Sequence, residues 1–171
     1  NMGRIKYGID LGTTNSAITK IDKGESIIIK SDSQSDTTPS CVGYRKKGSV
    51  MSGVRAFNTL KADKLKALKS GKSSDSNFWV EFKRTMGSDK KYNSSICDEN
   101  FSSEELSSEV LKKMKSYLQD EVVKSAVITI PAMFNDNQKS ATLKAAELAG
   151  ISQAELLQEP IAAAMAYGLD E

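Results

Sequence analysis

The feature that most constrains the fold is a run of five β-prone residues, 126–130 (AVITI), which ends at Pro131. A continuous apolar run of this length is typical of a strand that lies in a parallel sheet and is covered on both faces. Helical apolar spacing precedes it at 106–118 and follows it at 136–149, and a further short strand pattern comes at 155–157. The second half of the chain therefore predicts alternating strands and helices.

The first half of the chain is instead rich in hairpin signals. Apolar and polar residues alternate over 5–11, an apolar pattern resumes at 17–21, and the tetrapeptide GTTN at 12–15 lies between them. Residues 27–29 and 41–44 predict two more strands. This half therefore predicts a hairpin followed by short strands.

The middle of the chain predicts a less regular region. Residues 53–72 have helix-like apolar spacing with many lysines, although the sequence leaves open whether this segment is a helix or a loop. A short apolar and basic segment follows at 77–86, and residues 88–100 predict a polar loop. Ser102 and Glu105 have the spacing of a capping box, which predicts that a helix begins there.

The composition excludes several kinds of active site. The 171 residues include no histidine, so Ser-His-Asp and Cys-His nucleophilic sites and histidine-ligated zinc are excluded. Cys41 and Cys97 lie far apart, and we expect both to be reduced thiols in a reducing compartment. No apolar run is long enough for a membrane helix, and residues 1–4 show no secretory signal. Any chemistry then depends on carboxylates, lysines, hydroxyls and backbone amides.

The net charge of +2 is unevenly distributed. Residues 55–91 contain ten Lys or Arg against four Asp or Glu, whereas residues 92–171 contain six against thirteen. The basic segment either contacts anionic partners or forms a solvated, lysine-rich helix face. Aromatic residues make up only 6% of the chain and do not alternate with the lysines, so we expect no nucleic-acid stacking surface.

Residues 9–16 (IDLGTTNS) are the strongest candidate for a ligand site. A strand ends at the carboxylate of Asp10, and Gly12 then allows a sharp turn and a close approach of the backbone to a ligand. The amides and hydroxyls of the small polar residues that follow are suited to phosphate oxygens, and Asp10 is suited to hold Mg²⁺ through water. The alternative is an ordinary polar hairpin, because short motifs often match by chance. The spacing of a P-loop is absent.

Residues 9–16 resemble the first phosphate motif of the seventy-kilodalton heat-shock chaperones (the DnaK-like family), which belong to the actin and sugar-kinase superfamily. Three further stretches agree in order: TTPS at 37–40, VITIPAMFND at 127–136 and LQEPIAAAMAYG at 157–168. Sugar kinases and actins would share only the first and last of these, loosely. The four motifs occur in order, spread over almost the whole chain, and together they are specific for the chaperone family.

The resemblance implies an α/β fold of the ribonuclease-H-like, actin-like ATPase type, with a mixed sheet, flanking helices and a small inserted α/β subdomain. Residues 1–40 and 106–171 would form the core subdomain, and 41–105 the insertion. The chain would be the first lobe of an ATPase domain, with the second lobe and the peptide-binding domain outside it. The implied cofactors are ATP or ADP and Mg²⁺, and we expect the isolated lobe to be inactive.

The resemblance also assigns roles to individual residues. The implied catalytic residues are Asp10, which is linked to Mg²⁺ through water, Lys83 near the attacking water, and Glu159 on the opposite wall. The implied phosphate-binding residues are Gly12, Thr13, Thr14 and Asn15, and the implied relay to other domains consists of Pro131, Asp136 and Lys139. Taken without the resemblance, Lys83 is typical of a solvated lysine, Glu159 of a helix-start carboxylate and Pro131 of a strand end.

The resemblance extends to partners. It implies unfolded client peptides bound by the separate peptide-binding domain, a J-domain co-chaperone and a nucleotide exchange factor, in a cytoplasmic stress-response protein with no nucleic-acid or membrane partner. Lys139 stands where the family usually has arginine, and an ammonium cannot make the paired contacts of a guanidinium. Two alternatives stay open: another ATPase of the superfamily, and a non-catalytic docking module.

Overall fold

The computed structural model describes residues 6–73 and 76–159. Its strands are β1 (Tyr7–Leu11), β2 (Asn15–Asp22), β3 (Glu25–Ile28), β4 (Thr38–Pro39), β5 (Cys41–Lys46), β6 (Ser49–Ser52), β7 (Phe78–Val80), β8 (Lys91–Ser94), β9 (Glu99–Ser102), β10 (Ser125–Ile130) and β11 (Gln153–Gln158). Its α-helices are α1 (Val54–Ser70), α2 (Ser103–Lys115) and α3 (Asp136–Leu148), and a 3₁₀ helix spans Phe82–Thr85.

The largest sheet is mixed and has the strand order β11-β10-β1-β2-β3, with β4 beside β2. Strands β1, β10 and β11 run parallel, whereas β2 is antiparallel to β1, β3 and β4. In the parallel part, Asp10 lies opposite Thr129, and Thr129 lies opposite Leu157. The predicted hairpin and the predicted parallel strand are both confirmed, and the carboxyl ends of three strands meet at one end of the sheet.

The main core lies between one face of this sheet and the helices α2 and α3. Ile9 and Ile128 from the sheet belong to the same buried cluster as Val110 from α2 and Ala145 from α3. Burial alternates along β10, where every second residue is only half-buried. The expectation that this strand is covered on both faces is therefore wrong for the described part of the chain. The one apolar residue on its second face, Val127, reflects β propensity rather than full burial.

The middle of the chain forms two smaller sheets, β6-β5-β7 and β8-β9. Helix α1 is a helix rather than a loop, and it packs on the first of these sheets only through its first half, which buries Ala56 and Leu60. The remainder of α1 leaves its lysines exposed, as expected for a solvated face. Among the helices within residues 6–73 and 76–159, none combines the length and apolar character needed to cross a membrane.

The loop predicted at 88–100 is wrong, because β8 and β9 form an antiparallel hairpin there. Tyr92 and Phe101 face each other across its strands, and both contact Trp79. Phe101 also stacks on Tyr44, with ring centroids 5.1 Å apart. These aromatic contacts come from residues far apart in sequence, so local polarity gave no sign of the hairpin.

Two capping boxes fix the starts of the helices that support the site. The predicted Ser102–Glu105 pair is present at α2, and Asn135 and Gln138 form a second capping box at α3. Each satisfies backbone amides that the first helical turn leaves without partners. The predicted helix of residues 160–168 lies outside the described residues. Cys41 and Cys97 are buried free thiols, as expected.

Candidate functional site

The turn between β1 and β2 has a backbone that only glycine can provide at position 12. A Cβ atom on Gly12 would lie 2.0 Å from the carbonyl oxygen of Asn15, which is far inside contact distance. The Gly12 amide donates to Ser16 Oγ over 3.2 Å, so this amide is used within the turn. Thr14 and Asn15 are exposed and Thr13 is half-buried. The outer part of the turn therefore presents small polar residues to the solvent.

A second layer of hydroxyl groups holds the turn in place. Ser40 Oγ donates to the Gly12 carbonyl oxygen over 2.9 Å and also lies 2.9 Å from Ser16 Oγ. The Ser40 amide donates to the Thr14 carbonyl oxygen, again over 2.9 Å. Both serines are buried. The sequence singled out 37–40 as a motif but gave no sign of these contacts, because they join separate strands.

Lys83 lies in the 3₁₀ helix, whose position is fixed by a buried aromatic residue and by hydroxyl contacts. Phe82 is buried in the main core. The hydroxyl of Thr85 lies 2.8 Å from that of Tyr92 on β8 and 2.5 Å from that of Ser103 on α2. These contacts anchor the 3₁₀ helix to two neighbouring elements and leave the Lys83 side chain half-buried.

The environment of Lys83 places it beside the two predicted catalytic carboxylates. Burial lowers the pKa of Lys83 below its ordinary value, and the carboxylates of Glu159 and Asp10 act in the opposite direction. Asp10 lies near the end of β1, and Glu159 directly follows β11, so the parallel register brings both to one end of the sheet. The charges of Asp10 and Glu159 therefore both act on Lys83 at this end of the sheet.

The donor set suits a magnesium ion that keeps most of its water. Magnesium in nucleotide sites commonly uses one or two carboxylates, with waters and substrate phosphates completing the octahedron. The exposed carboxylate of Asp10 at the strand end fits that requirement. Within the part of the chain that the structure describes, no three acidic or cysteine side chains are grouped to hold a metal by themselves. A direct, fully protein-ligated site is therefore not seen there.

The relay residues predicted from the resemblance lie on the segment that joins β10 to α3. Pro131 directly follows β10, and its carbonyl oxygen accepts from the Phe134 amide over 3.1 Å. Asp136 and Lys139 lie at the start of α3, exposed and half-buried respectively. A Cβ atom on Gly87 would lie 2.8 Å from the backbone of Asn137, so the segment after the 3₁₀ helix packs directly against this helix start.

Phe134 is a site residue to which the sequence assigned no role. The Lys83 Nζ atom lies 5.5 Å from the centroid of the Phe134 ring, within the usual range of a cation–π contact. The residue belongs to the strand-to-helix motif at 127–136, but nothing in that spacing indicates a contact with Lys83, 51 positions earlier in the sequence. A partly open cavity of about 160 Å³ lies elsewhere, between α2, the start of α1 and the segment 31–39, and it is not lined by Lys83 or Phe134.

We predict that Gly12→Ala will disrupt the turn, because its methyl group would displace the Asn15 carbonyl and break the Gly12–Ser16 and Gly12–Ser40 hydrogen bonds. Thermal unfolding should show a larger loss of stability than in Gly48→Ala, whose Cβ meets nothing within 4 Å and which tests the cost of a positive φ alone. Equal losses in the two variants would contradict the close approach.

We also predict that Lys83 will titrate below the ordinary lysine range and that Glu159→Gln will lower its pKa further, because one of the opposing carboxylates is lost. Protonation of Lys83 then costs folding free energy at neutral pH. This cost shrinks as the pH rises above the folded-state pKa and is gone once the pH passes the ordinary pKa of the unfolded state. NMR titration of ¹³C-labelled lysine side chains measures the shift. Glu147→Gln on α3 is the matched control, and an equal effect of both variants would contradict the proximity of Glu159.

Comparison with known proteins agrees with the family resemblance of the four sequence motifs. The sequence model of the family described as "Hsp70 protein" matches residues 6–171. The chain is also 37% identical, over 179 aligned residues, to "Chaperone protein dnaK" from Thalassiosira pseudonana. That alignment covers 96% of this chain and 30% of the relative, so the chain spans less than a third of the length of that protein. The chain belongs to the Hsp70 family.

Proposed function

We propose that this chain is the first lobe of the nucleotide-binding domain of an ATP-dependent chaperone, and that it binds the β- and γ-phosphates of ATP together with Mg²⁺. Membership of the Hsp70 family implies the actin-like ATPase fold, and the mixed sheet with its helices agrees with that fold. Family membership also sets aside the alternative of a different ATPase from the superfamily. The observation that carries the proposal is that Asp10 and Glu159, which the strand register brings to one end of the sheet, both act on the charge of Lys83.

In the proposed mechanism, Thr13, Thr14 and Asn15 bind phosphate oxygens, and Gly12 allows the tight turn that presents these residues, in which its Cα lies close to the Asn15 carbonyl oxygen. Magnesium, when bound, neutralises charge on the phosphates. Asp10 would hold the metal through the water molecules around it. Phosphoryl transfer depends mainly on positioning and on electrostatic stabilisation. Lys83 supplies a fixed positive charge where negative charge develops, in a position that is partly shielded from water and is therefore more effective. Glu159, which directly follows β11, would supply the carboxylate on the opposite wall of the site.

The proposed domain division follows the sequence prediction. The core subdomain would comprise residues 1–40 and 106–171, and the insertion 41–105. The small buried cluster of Cys41, Ala56, Leu60 and Phe78 supports a separate inserted unit. Tyr44 and Phe101 nevertheless belong to the main core, so the two units would share an extensive interface. A second lobe would supply the remaining half of the nucleotide site, which is why the isolated chain is expected to be inactive.

The wider role of the protein is also part of the proposal. Client peptides would bind to a separate domain, and Pro131, Asp136 and Lys139 would pass the nucleotide state to that domain and to a J-domain co-chaperone. Pro131 and Asp136 lie at either end of the segment that carries Phe134, so a change at the phosphate site has a short route to α3. Nucleotide exchange factor binding and a cytoplasmic location stay predictions from the family.

We predict that Lys83→Met in the full-length protein will reduce the rate of ATP hydrolysis by roughly 10²–10³-fold, the usual effect of removing one electrostatic stabiliser of a transition state. Binding of Mg·ADP should persist, because the turn and Asp10 are unchanged. Single-turnover hydrolysis measures the rate, and calorimetry measures binding.

The matched control is Lys66→Met, which removes an exposed lysine from α1. Normal turnover in Lys83→Met would contradict the proposed catalytic role. If neither the Lys83→Met variant nor the Lys66→Met control bound nucleotide, the remaining alternative, a docking module without catalysis, would be favoured.

A further inference from the structure

The contact between Lys83 and Phe134 differs from the other lysine–aromatic pairs of the described residues. Lys61 lies 4.8 Å from the Phe57 ring and Lys90 5.4 Å from the Tyr92 ring, but both of these lysines are exposed. Lys113 lies 5.9 Å from Tyr117 and is ion-paired with Asp32. Lys83 is half-buried, and the acidic groups that act on it are the two carboxylates of the candidate site.

The Phe134 ring is carried by a short backbone segment that is fixed at both ends. On one side, the Phe134 amide donates to the carbonyl oxygen of Pro131 at the end of β10. On the other side, Asn135 and Gln138 form the capping box of α3, with hydrogen bonds of 2.8 Å in both directions. Each anchor holds a backbone amide of this segment, one by a carbonyl oxygen and the other by side-chain oxygens, so the backbone that carries the ring has a defined place relative to β10 and α3.

A lysine side chain has four flexible methylene groups, so holding its ammonium in one place costs conformational entropy. A favourable contact at the ammonium is needed to offset that cost. Burial also removes water from the charge, which is unfavourable unless something replaces that hydration. The face of an aromatic ring does so, because its quadrupole attracts a cation while its carbon atoms exclude water. An aliphatic side chain of similar size would exclude the water without attracting the cation.

We propose that Phe134 is a positioning residue for Lys83: its ring face holds the ammonium in place at the candidate site. This inference rests on the proposed catalytic role of Lys83 and adds to it a residue that acts through that lysine. The prediction is that the ring itself is required, and not merely an apolar side chain at position 134.

The contact is tested first by NMR on the 171-residue chain with ¹³C-labelled lysine ε-carbons. In the native chain, the ring current should shift the Lys83 ε-proton signal upfield, with Lys83→Arg used to assign it. Phe134→Leu should abolish that shift and Phe134→Tyr should retain it. Phe57→Leu, which removes the remote Lys61 contact, should leave the Lys83 signal unchanged. A Lys83 signal that is insensitive to Phe134→Leu would overturn the proposal.

The role is tested by steady-state ATP hydrolysis in the full-length protein over a range of ATP concentrations, which gives both kcat and KM. Phe134→Leu should lower kcat by about three- to thirty-fold, the range that cation–π contacts span, with an unchanged KM for ATP, and Phe134→Tyr should restore the rate. In a Lys83→Met background, Phe134→Leu should cause no further loss, because the ring then has no ammonium to hold. An equal loss with and without Lys83, or an equal loss with Leu and Tyr, would show a structural role and overturn the proposal.

The catalytic role of Lys83 and the positioning role of Phe134 are contradicted by different results. If Lys83→Met leaves the hydrolysis rate unchanged, the proposed catalytic function is wrong, whatever the NMR result. If Lys83→Met abolishes hydrolysis while Phe134→Leu hydrolyses ATP normally, the catalytic lysine stands and the positioning role of Phe134 is wrong.

Discussion

The parallel pairing of β1 with β10, and of β10 with β11, is the constraint on which the rest of the structure depends. Its register places Asp10 opposite Thr129 and Thr129 opposite Leu157, so Asp10 near the end of β1 and Glu159 directly after β11 lie at one end of the sheet. The buried face of the same strands forms the core with α2 and α3. A register shift of one residue would turn that core toward solvent and would separate the carboxylates.

The three charged groups discussed at this end of the sheet carry an excess of negative charge. The carboxylates of Asp10 and Glu159 act on one ammonium, that of Lys83, which is partly buried and whose pKa is lowered by that burial. Keeping the Lys83 ammonium charged in this partly buried position therefore costs free energy when no ligand is bound. Such a cost is common where a charge is preorganised for a transition state. The hydroxyl contacts of Ser16 and Ser40 and the anchored 3₁₀ helix supply the rigidity that this arrangement needs.

Much of this fold could be predicted from local sequence, and the failures have physical causes. The hairpin around Gly12, the strand at 126–130 and the capping box at Ser102 all depend on neighbouring residues, and all three are present. The β8–β9 hairpin was missed because its stability comes from distant aromatic partners, Tyr44 and Trp79.

The candidate site likewise has parts that local sequence predicts and parts that it does not. The turn at 12–15 has a local physical rationale, since close backbone approach requires glycine. Lys83 is one of ten basic residues in its segment, so only the family resemblance singled it out. The contacts of Phe134, Ser16 and Ser40 join separate elements, and sequence spacing does not encode them.

The most direct test of the central claim is a crystal structure of the full-length protein with Mg²⁺ and a non-hydrolysable ATP analogue. The account predicts that the terminal phosphates lie against the turn at 12–15, with the Lys83 ammonium and the Asp10-bound water shell directed at them. A nucleotide bound elsewhere, or a Lys83 side chain directed away from the phosphates, would contradict it.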